Sequence, residues 1–330
     1  MAIKNFKLKV PATSANLGPG FDTLGVALSL YLTIEGTYNL QGENKVTFIC
    51  SGEGAELMPN DLEKNLITQC ALFVLKNNGI DSVKGELILN IHNEIPLGRG
   101  LGSSGAAVVG GVILGDIIGS LELSQSRIID FIQELEGHPD NVVPAYLGGL
   151  VASYVSNKKQ DSQVFPPQDI VKFSHLKWSK NIKVIAVVPK YELATSKARG
   201  VLPQTYSKQD VVFNLQRLAV LTSSLTQEIP DPELIYGAMD DCIHQPYRLE
   251  LIPGLKQVLE QINPKTEPGT LGICLSGAGP TVLILSNQRQ EEIAKKCQQI
   301  LKTEGNVDSY ALHLEVDFDG AQTSVVNVLQ

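Results

Sequence analysis

Phe6, Leu8 and Val10 alternate with lysines, the two-residue period of a strand that buries one face. The turn-rich PATSANLGPG follows, and an apolar pattern resumes over 21–32. Strands are predicted at 46–50 and 86–91, with a helix over 62–77 between them. A glycine-rich turn at 96–106 then leads into an apolar helix ending near 119. Ile128, Ile129, Phe131, Ile132 and Leu135 have helical spacing, which predicts a helix over 124–136 capped by Ser124 and stopped by Gly137, His138 and Pro139. The second half restarts with a strand at 183–188. Helices follow at 209–227, 231–241, 252–262 and 289–303, and strands near 271–275, 281–286 and 310–316. Strands and helices interleave on both sides of a polar, proline-bearing stretch at 156–180, which predicts a two-domain α+β protein divided there. A cut at 160/161 gives domains of 1–160 and 161–330, with a crevice between them of the kind small ligands occupy.

Composition narrows the partners. The chain has 330 residues, enough for about two cores, and its 27 basic and 35 acidic side chains leave a formal charge of −8. No basic block is present to release counterions from a nucleic acid, so nucleic acid is excluded as a partner. The N-terminal MAIKNFKLKV lacks the apolar stretch of a signal peptide. The longest apolar run, 105–121, is shorter than the roughly 20 residues of a membrane span and is broken by Asp116. Cys50, Cys70, Cys242, Cys274 and Cys297 are odd in number and scattered, without zinc spacing, and read as reduced thiols of a cytoplasmic protein. A homodimer is allowed, but nothing in the sequence selects it.

The chemistry concentrates in Pro96, Leu97, Gly98, Arg99, Gly100, Leu101, Gly102, Ser103, Ser104, Gly105 and Ala106. The segment lies between a predicted strand and a predicted helix. Glycines at alternate positions let backbone approach a ligand, and the helix start presents unpaired N–H groups and a positive dipole end, a combination that holds phosphate. Ser103 and Ser104 add hydroxyls for phosphate oxygens or a metal. The P-loop lysine is absent, and the spacing is not that of a dinucleotide fingerprint. A tight turn without a ligand is the competing reading.

PLGRGLGSSGAA resembles the second signature of the GHMP small-molecule kinases, named for galactokinase, homoserine kinase, mevalonate kinase and phosphomevalonate kinase. PATSANLGPGFDTLG at 11–25 resembles the first signature and LSGAGPTVL at 275–283 the third. The three stand in the family's order and span nearly the whole chain; Gly105 replaces the usual alanine. The resemblance implies an N-terminal domain like domain 2 of ribosomal protein S5, a C-terminal ferredoxin-like α+β domain, and substrates in the cleft between them. The ribosomal likeness is one of fold alone.

NLGPGFDTLG together with His138-Pro139-Asp140-Asn141-Val142-Val143-Pro144 resembles the homoserine kinase branch of that family. That likeness implies transfer of the ATP γ-phosphoryl to the side-chain hydroxyl of L-homoserine, giving O-phosphohomoserine on the route to threonine. Another small alcohol, such as mevalonate, shikimate or a sugar, is the alternative acceptor, and a nucleotide sensor without transfer activity is a third reading. A zwitterionic substrate needs an anion for its ammonium and a cationic fork for its carboxylate. Asp22 fits the first role, and Arg199 in TSKARGVLP and Arg248 in QPYRLELIPG sit in contexts resembling the family's carboxylate-binding arginines. Asn16, His138 and the backbone of Gly277 are expected to complete the pocket. Asn141 stands where some relatives carry aspartate and cannot usefully accept a proton, which implies catalysis by positioning and electrostatics. Ser103 and Glu136, with Glu134 as competitor, are the expected Mg²⁺ ligands, Asn65 the expected adenine-side residue and Arg99 an aid to the phosphates.

Overall fold

A computed structural model describes residues 3–156 and 165–328. Positions 157–164, the part of the 156–180 stretch that holds the expected cut at 160/161, lie outside the described residues.

The first half supplies β1 (Ile3–Ala15), β2 (Leu24–Asn39), β3 (Lys45–Gly52), α1 (Leu66–Asn77), β4 (Glu86–Asn93), α2 (Ser103–Gly119), α3 (Gln125–Glu136), α4 (Pro139–Leu147) and β5 (Leu150–Val155). The second half supplies β6 (Val171–Leu176), β7 (Lys183–Pro189), α5 (Thr195–Gly200), α6 (Lys208–Ser224), α7 (Pro232–Ala238), α8 (Gln245–Arg248) and α9 (Leu255–Gln261). It ends with β8 (Thr270–Leu275), β9 (Val282–Ser286), α10 (Gln290–Gly305), β10 (Ser309–Leu314) and β11 (Gln322–Val328). One sheet of seven strands runs β11-β1-β2-β4-β3, with β5 and β6 branching from β2. Its ladders are antiparallel except β3–β4. The other sheet runs β10-β7-β9-β8, all antiparallel. Its β-α-β-β-α-β sequence and strand order are those expected of a ferredoxin-like unit.

The polar turn pattern after Val10 misleads. Pro11 to Ala15 continue β1, with a register shift at Pro11/Ala12 where the missing proline N–H is tolerated. The helix expected from 62 begins at Leu66, because the Asn65 side chain accepts the Ile67 N–H and caps it there. Ser124 caps α3 as its sequence suggests, and Gly137 ends it in the left-handed region at φ 85°. Immediately after, Pro139 opens α4, a helix the periodicity did not show. The cut at 160/161 does not coincide with the change of sheet. Strand β6 lies beyond it yet pairs with β5, and β11 returns from the far end of the chain to cover the open edge of β1.

One core runs beneath the first sheet and continues onto one face of the second: Val184, Ala186 and Val188 of β7 belong to it. Ile185 and Val187 point the other way, into a second core with α9 and α10. Burial of both faces explains why β7 reads as an unbroken apolar run. Helix α2 is likewise buried nearly all round, and it approaches α1 closely through Gly111. A Cβ at that position would lie 2.3 Å from the Ile67 carbonyl oxygen. Gly111→Ala is therefore expected to cost about 1–3 kcal/mol in urea unfolding. Gly237→Ala, where a Cβ meets nothing within 4 Å, should hold or gain up to about 1 kcal/mol. Equal midpoints for the two variants would show that Gly111 does not set the spacing of α1 and α2.

Candidate active site

The loop before α2 is held by its oxygen atoms. The carbonyl of Gly98 accepts the Leu193 N–H at 2.9 Å, that of Arg99 the Thr281 N–H at 3.2 Å, and that of Leu101 the Thr13 N–H at 3.2 Å. The Gly100 carbonyl accepts the Ser276 hydroxyl at 2.6 Å. Consecutive carbonyls are thus drawn outward by β1, by the 276–281 turn and by the segment after β7. The amide side is left for the cavity. Gly102 caps α2 in the left-handed region at φ 71°, and a Cβ there would lie 2.0 Å from Thr13 Oγ1, so only glycine fits. The first intrahelical bond runs from Ala106 N–H to the Gly102 carbonyl, and Gly102 offers no side-chain cap. Ser103, Ser104 and Gly105 therefore present helix-start N–H groups, a ready anion site.

Two cavities meet at this point. A polar one of about 100 Å³ is lined by Gly98, Arg99, Gly100, Gly102, Ser103, Ser104 and Gly105 on one side. Its far side is formed by Phe21, Glu136, His138, Asp140, Asn141, Arg199 and Arg248. An apolar one of about 280 Å³ lies between Leu57, Met58, Pro59, Leu66, Leu97 and Ala107. Gly98, Ser103 and Ser104 border both.

At the far side Asp22 and Arg199 form a two-bonded pair, Arg199 Nη2 to Oδ1 at 2.6 Å and Nη1 to Oδ2 at 3.1 Å. Phe21 lies beneath both guanidinium groups, with Arg199 5.4 Å and Arg248 5.6 Å from its ring centre. Asn16 Nδ2 donates to the Gly277 carbonyl at 3.0 Å while its Oδ1 accepts the Asp22 N–H at 3.1 Å. Arg248 is buried; burial, then the neighbouring Arg199, pulls its pKa down to about 10. Its Nε donates to the Ala198 carbonyl and its Nη1 to the Gly277 carbonyl.

On the floor, His138 Nδ1 lies 2.7 Å from Asp140 Oδ1, and Nε2 lies 3.8 Å from Glu136 Oε1. Burial lowers the His138 pKa, but the Asp140 hydrogen bond and charge outweigh it, Arg199 opposing and Glu136 assisting, so the net shift is upward. Burial raises the Glu136 carboxyl, with His138 opposing. Asn141 Oδ1 accepts the Thr13 hydroxyl at 2.9 Å, which turns its amide nitrogen the other way.

Residues 65–149 match the family model for the GHMP kinases N terminal domain, and 225–303 that for GHMP kinases C terminal. The chain is 42% identical to the homoserine kinase of Candida albicans over 97% of this chain and 98% of that one. It is 43% identical to the homoserine kinase of Saccharomyces cerevisiae, with the same coverage. The chain belongs to the homoserine kinase family. In three dimensions it is similar to the crystal structure of homoserine kinase from Cytophaga hutchinsonii, with a TM-score of 0.76 at 27% identity over 97% of each chain. The two-domain α+β GHMP kinase fold expected from the signatures is the fold observed.

Of the family's expected site residues, Asn16, Glu136, His138, Asn141, Arg199, Arg248 and Gly277 line the polar cavity, whereas Asp22 lines neither cavity and meets the polar one through its pair with Arg199. Pro96, Leu101 and Ala106 are buried and line neither cavity; they anchor the loop rather than face a ligand. Gly277 borders the cavity, but its carbonyl is taken by Asn16 and Arg248 and its N–H by the Ala15 carbonyl. Asn65 borders the apolar cavity while capping α1 and donating to the Pro59 carbonyl at 3.1 Å. Arg99 borders the polar cavity and reaches Glu53 at 3.8 Å. Glu136, not Glu134, borders the cavity. Sequence reasoning missed Thr13, Phe21 and Asp140. All three sit inside motifs already singled out, so a reading of the whole motif would have found them.

The His138 ring is expected to titrate above 6.5, followed by NMR of its ring protons. Asp140→Asn should bring it down, because burial and Arg199 then face less opposition. By linkage, proton uptake at His138 adds stability that is complete below the unfolded value of about 6.5 and is lost as pH rises through the folded value. A titration unmoved by Asp140→Asn would remove Asp140 as the cause.

Proposed function

We propose that the protein transfers the γ-phosphoryl group of ATP to the side-chain hydroxyl of L-homoserine, giving O-phospho-L-homoserine for threonine synthesis. The observation that carries this reading is the junction of the two cavities at Gly98, Ser103 and Ser104, with Arg199 on the far side of the polar one and Asp22 paired to it. The apolar cavity suits a nucleoside base, the loop amides suit the phosphates, and the opposite wall suits an amino-acid head. Homoserine carries one charge of each sign. It exchanges the single Asp22–Arg199 pair for two, ammonium to Asp22 and carboxylate to Arg199 and Arg248, so no charge is stranded. Mevalonate, shikimate and sugars have no ammonium for Asp22.

The remaining chemistry is positional. The homoserine hydroxyl oxygen bonds to the γ-phosphorus, the bond from phosphorus to the bridging oxygen breaks, and ADP leaves. The transition state is loose, so directed donors matter more than a strong base. Asn141 contributes N–H donors held in place by Thr13, and loop N–H groups meet the phosphate charge. His138 keeps its proton more tightly than usual and serves as a donor; the hydroxyl proton passes late to a phosphoryl oxygen or to solvent. Glu136 and the Ser103 hydroxyl border the same cavity and would offer Mg²⁺ the hard oxygen donors it takes. When bound, Mg²⁺ supplies charge neutralisation of the triphosphate. Among the described residues no helix is long and apolar enough to cross a membrane, and all five cysteines are free, which suits the reducing cytoplasm.

A coupled assay offering homoserine, mevalonate, galactose and shikimate with ATP tests the assignment. Turnover of homoserine alone is the expected result; turnover of another alcohol instead would replace it. Asn141→Ala should lower kcat about 100-fold or more with little change in either KM, as loss of a transition-state donor does. Near-normal turnover would end the role given to Asn141.

A further inference from the structure

His244 is fully buried behind the amino-acid end of the cavity and carries no part of the mechanism above. Its Nε2 lies 2.8 Å from the Gly18 carbonyl, which can only accept, so the proton sits on Nε2. Its Nδ1 is therefore bare and accepts from Arg248 Nη1 at 2.9 Å. An arginine can only donate, so both contacts demand the same neutral tautomer. Asp241 Oδ2 is 3.6 Å from Nε2 but is already engaged by the N–H groups of His244 and Gln245, and Phe21 stacks on the imidazole at 5.3 Å. Burial lowers the His244 pKa, with Asp241 opposing and Arg248 assisting, in keeping with a ring that stays neutral.

One ring thus joins two parts of the clamp. Gly18 belongs to the turn that carries Asp22, and Arg248 is one of the paired cations. With Nε on Ala198 and Nη1 shared between His244 and Gly277, Arg248 has Nη2 without a partner among the described residues, and the side chain borders the cavity. We propose that His244 is a positioning residue for substrate specificity: anchored on the Gly18 carbonyl, it fixes Nη1 and so aims Arg248 Nη2 at the carboxylate of the amino-acid substrate. This rests on the homoserine reading of the site.

The test compares homoserine with 3-aminopropan-1-ol, which is homoserine without its carboxylate. His244→Ala should raise the KM for homoserine about 10- to 100-fold, the range for a lost charged hydrogen bond, with kcat and the KM for ATP nearly unchanged. The inhibition constant of 3-aminopropan-1-ol against homoserine should stay within about 3-fold, because that molecule makes no demand on Arg248. His244→Asn places an amide oxygen where Nδ1 stood and should recover most of the homoserine KM. It also carries the test if the alanine variant fails to fold. His244→Gln, which restores only the donor to Gly18, should recover less. Equal losses for homoserine and the amino alcohol, or a fall in kcat with KM unchanged, would overturn the proposal while leaving the kinase reading intact. A wild-type protein inert toward homoserine would instead remove that reading, and this one with it.

Discussion

The structure turns on where four carbonyl oxygens point. Backbone that must face a polyanion cannot also show it C=O groups, and a free loop would sample both arrangements. Here the oxygens of Gly98 to Leu101 are claimed by Leu193, Thr281, Ser276 and Thr13, the last from β1 of the first sheet and the others from segments flanking strands of the second. The anion site is therefore a property of the assembled molecule. It also explains why the three signature segments lie so far apart in sequence: the first and third clasp the second. Ser276 bonds Ser14 as well as the loop, and Gly277 bonds Ala15, so the clasp is itself continuous.

Across the cavity the problem is reversed, since charges of both signs are held side by side at its wall. Asp22 and Arg199 neutralise each other while remaining about one-third exposed, so neither bears a full desolvation cost. Arg248 is the costly group. It is nearly fully buried beside a second cation, and only the carbonyls of Ala198 and Gly277, the His244 nitrogen and the Phe21 ring make that tolerable. Asn16, Leu17 and Asp22 all adopt positive φ in the turn that sets the Asp22 carboxylate against Arg199.

Much of this was legible beforehand, for identifiable reasons. Elements with one buried face, such as β4 and α3, announced themselves by period, and Ser124 marked a boundary by its capping chemistry. Motif-borne side chains such as His138 and Asn141 could be singled out because family likeness attaches to contiguous residues, and both line the polar cavity. The misses have physical causes too. The short helices α5 and α8 have too few turns to show a period, although they carry Arg199 and Arg248. Strand β11 is exposed along its whole length and so lacks an apolar face to read. Pro11 looked like a turn because its neighbours are small and polar, yet a register shift lets the strand run on. Second-layer partners, Thr13 to Asn141 or His244 to Gly18, join residues far apart in sequence, and no local pattern encodes such a meeting.

The return of β11 to the edge of β1 bears on how the molecule is made. Ile3 pairs with Val328 and Lys9 with Gln322, on the same strand whose far end holds Thr13 against the glycine-rich loop. While the polypeptide is still emerging from the ribosome, that flank of the sheet lies open, and the nascent N-terminal half carries an unsealed ribbon of amides for the whole time the rest is being translated. Until residues Gln322–Val328 pair with it, the outer edge of β1 is an open ladder of the kind that invites another chain, and β11 is what closes it.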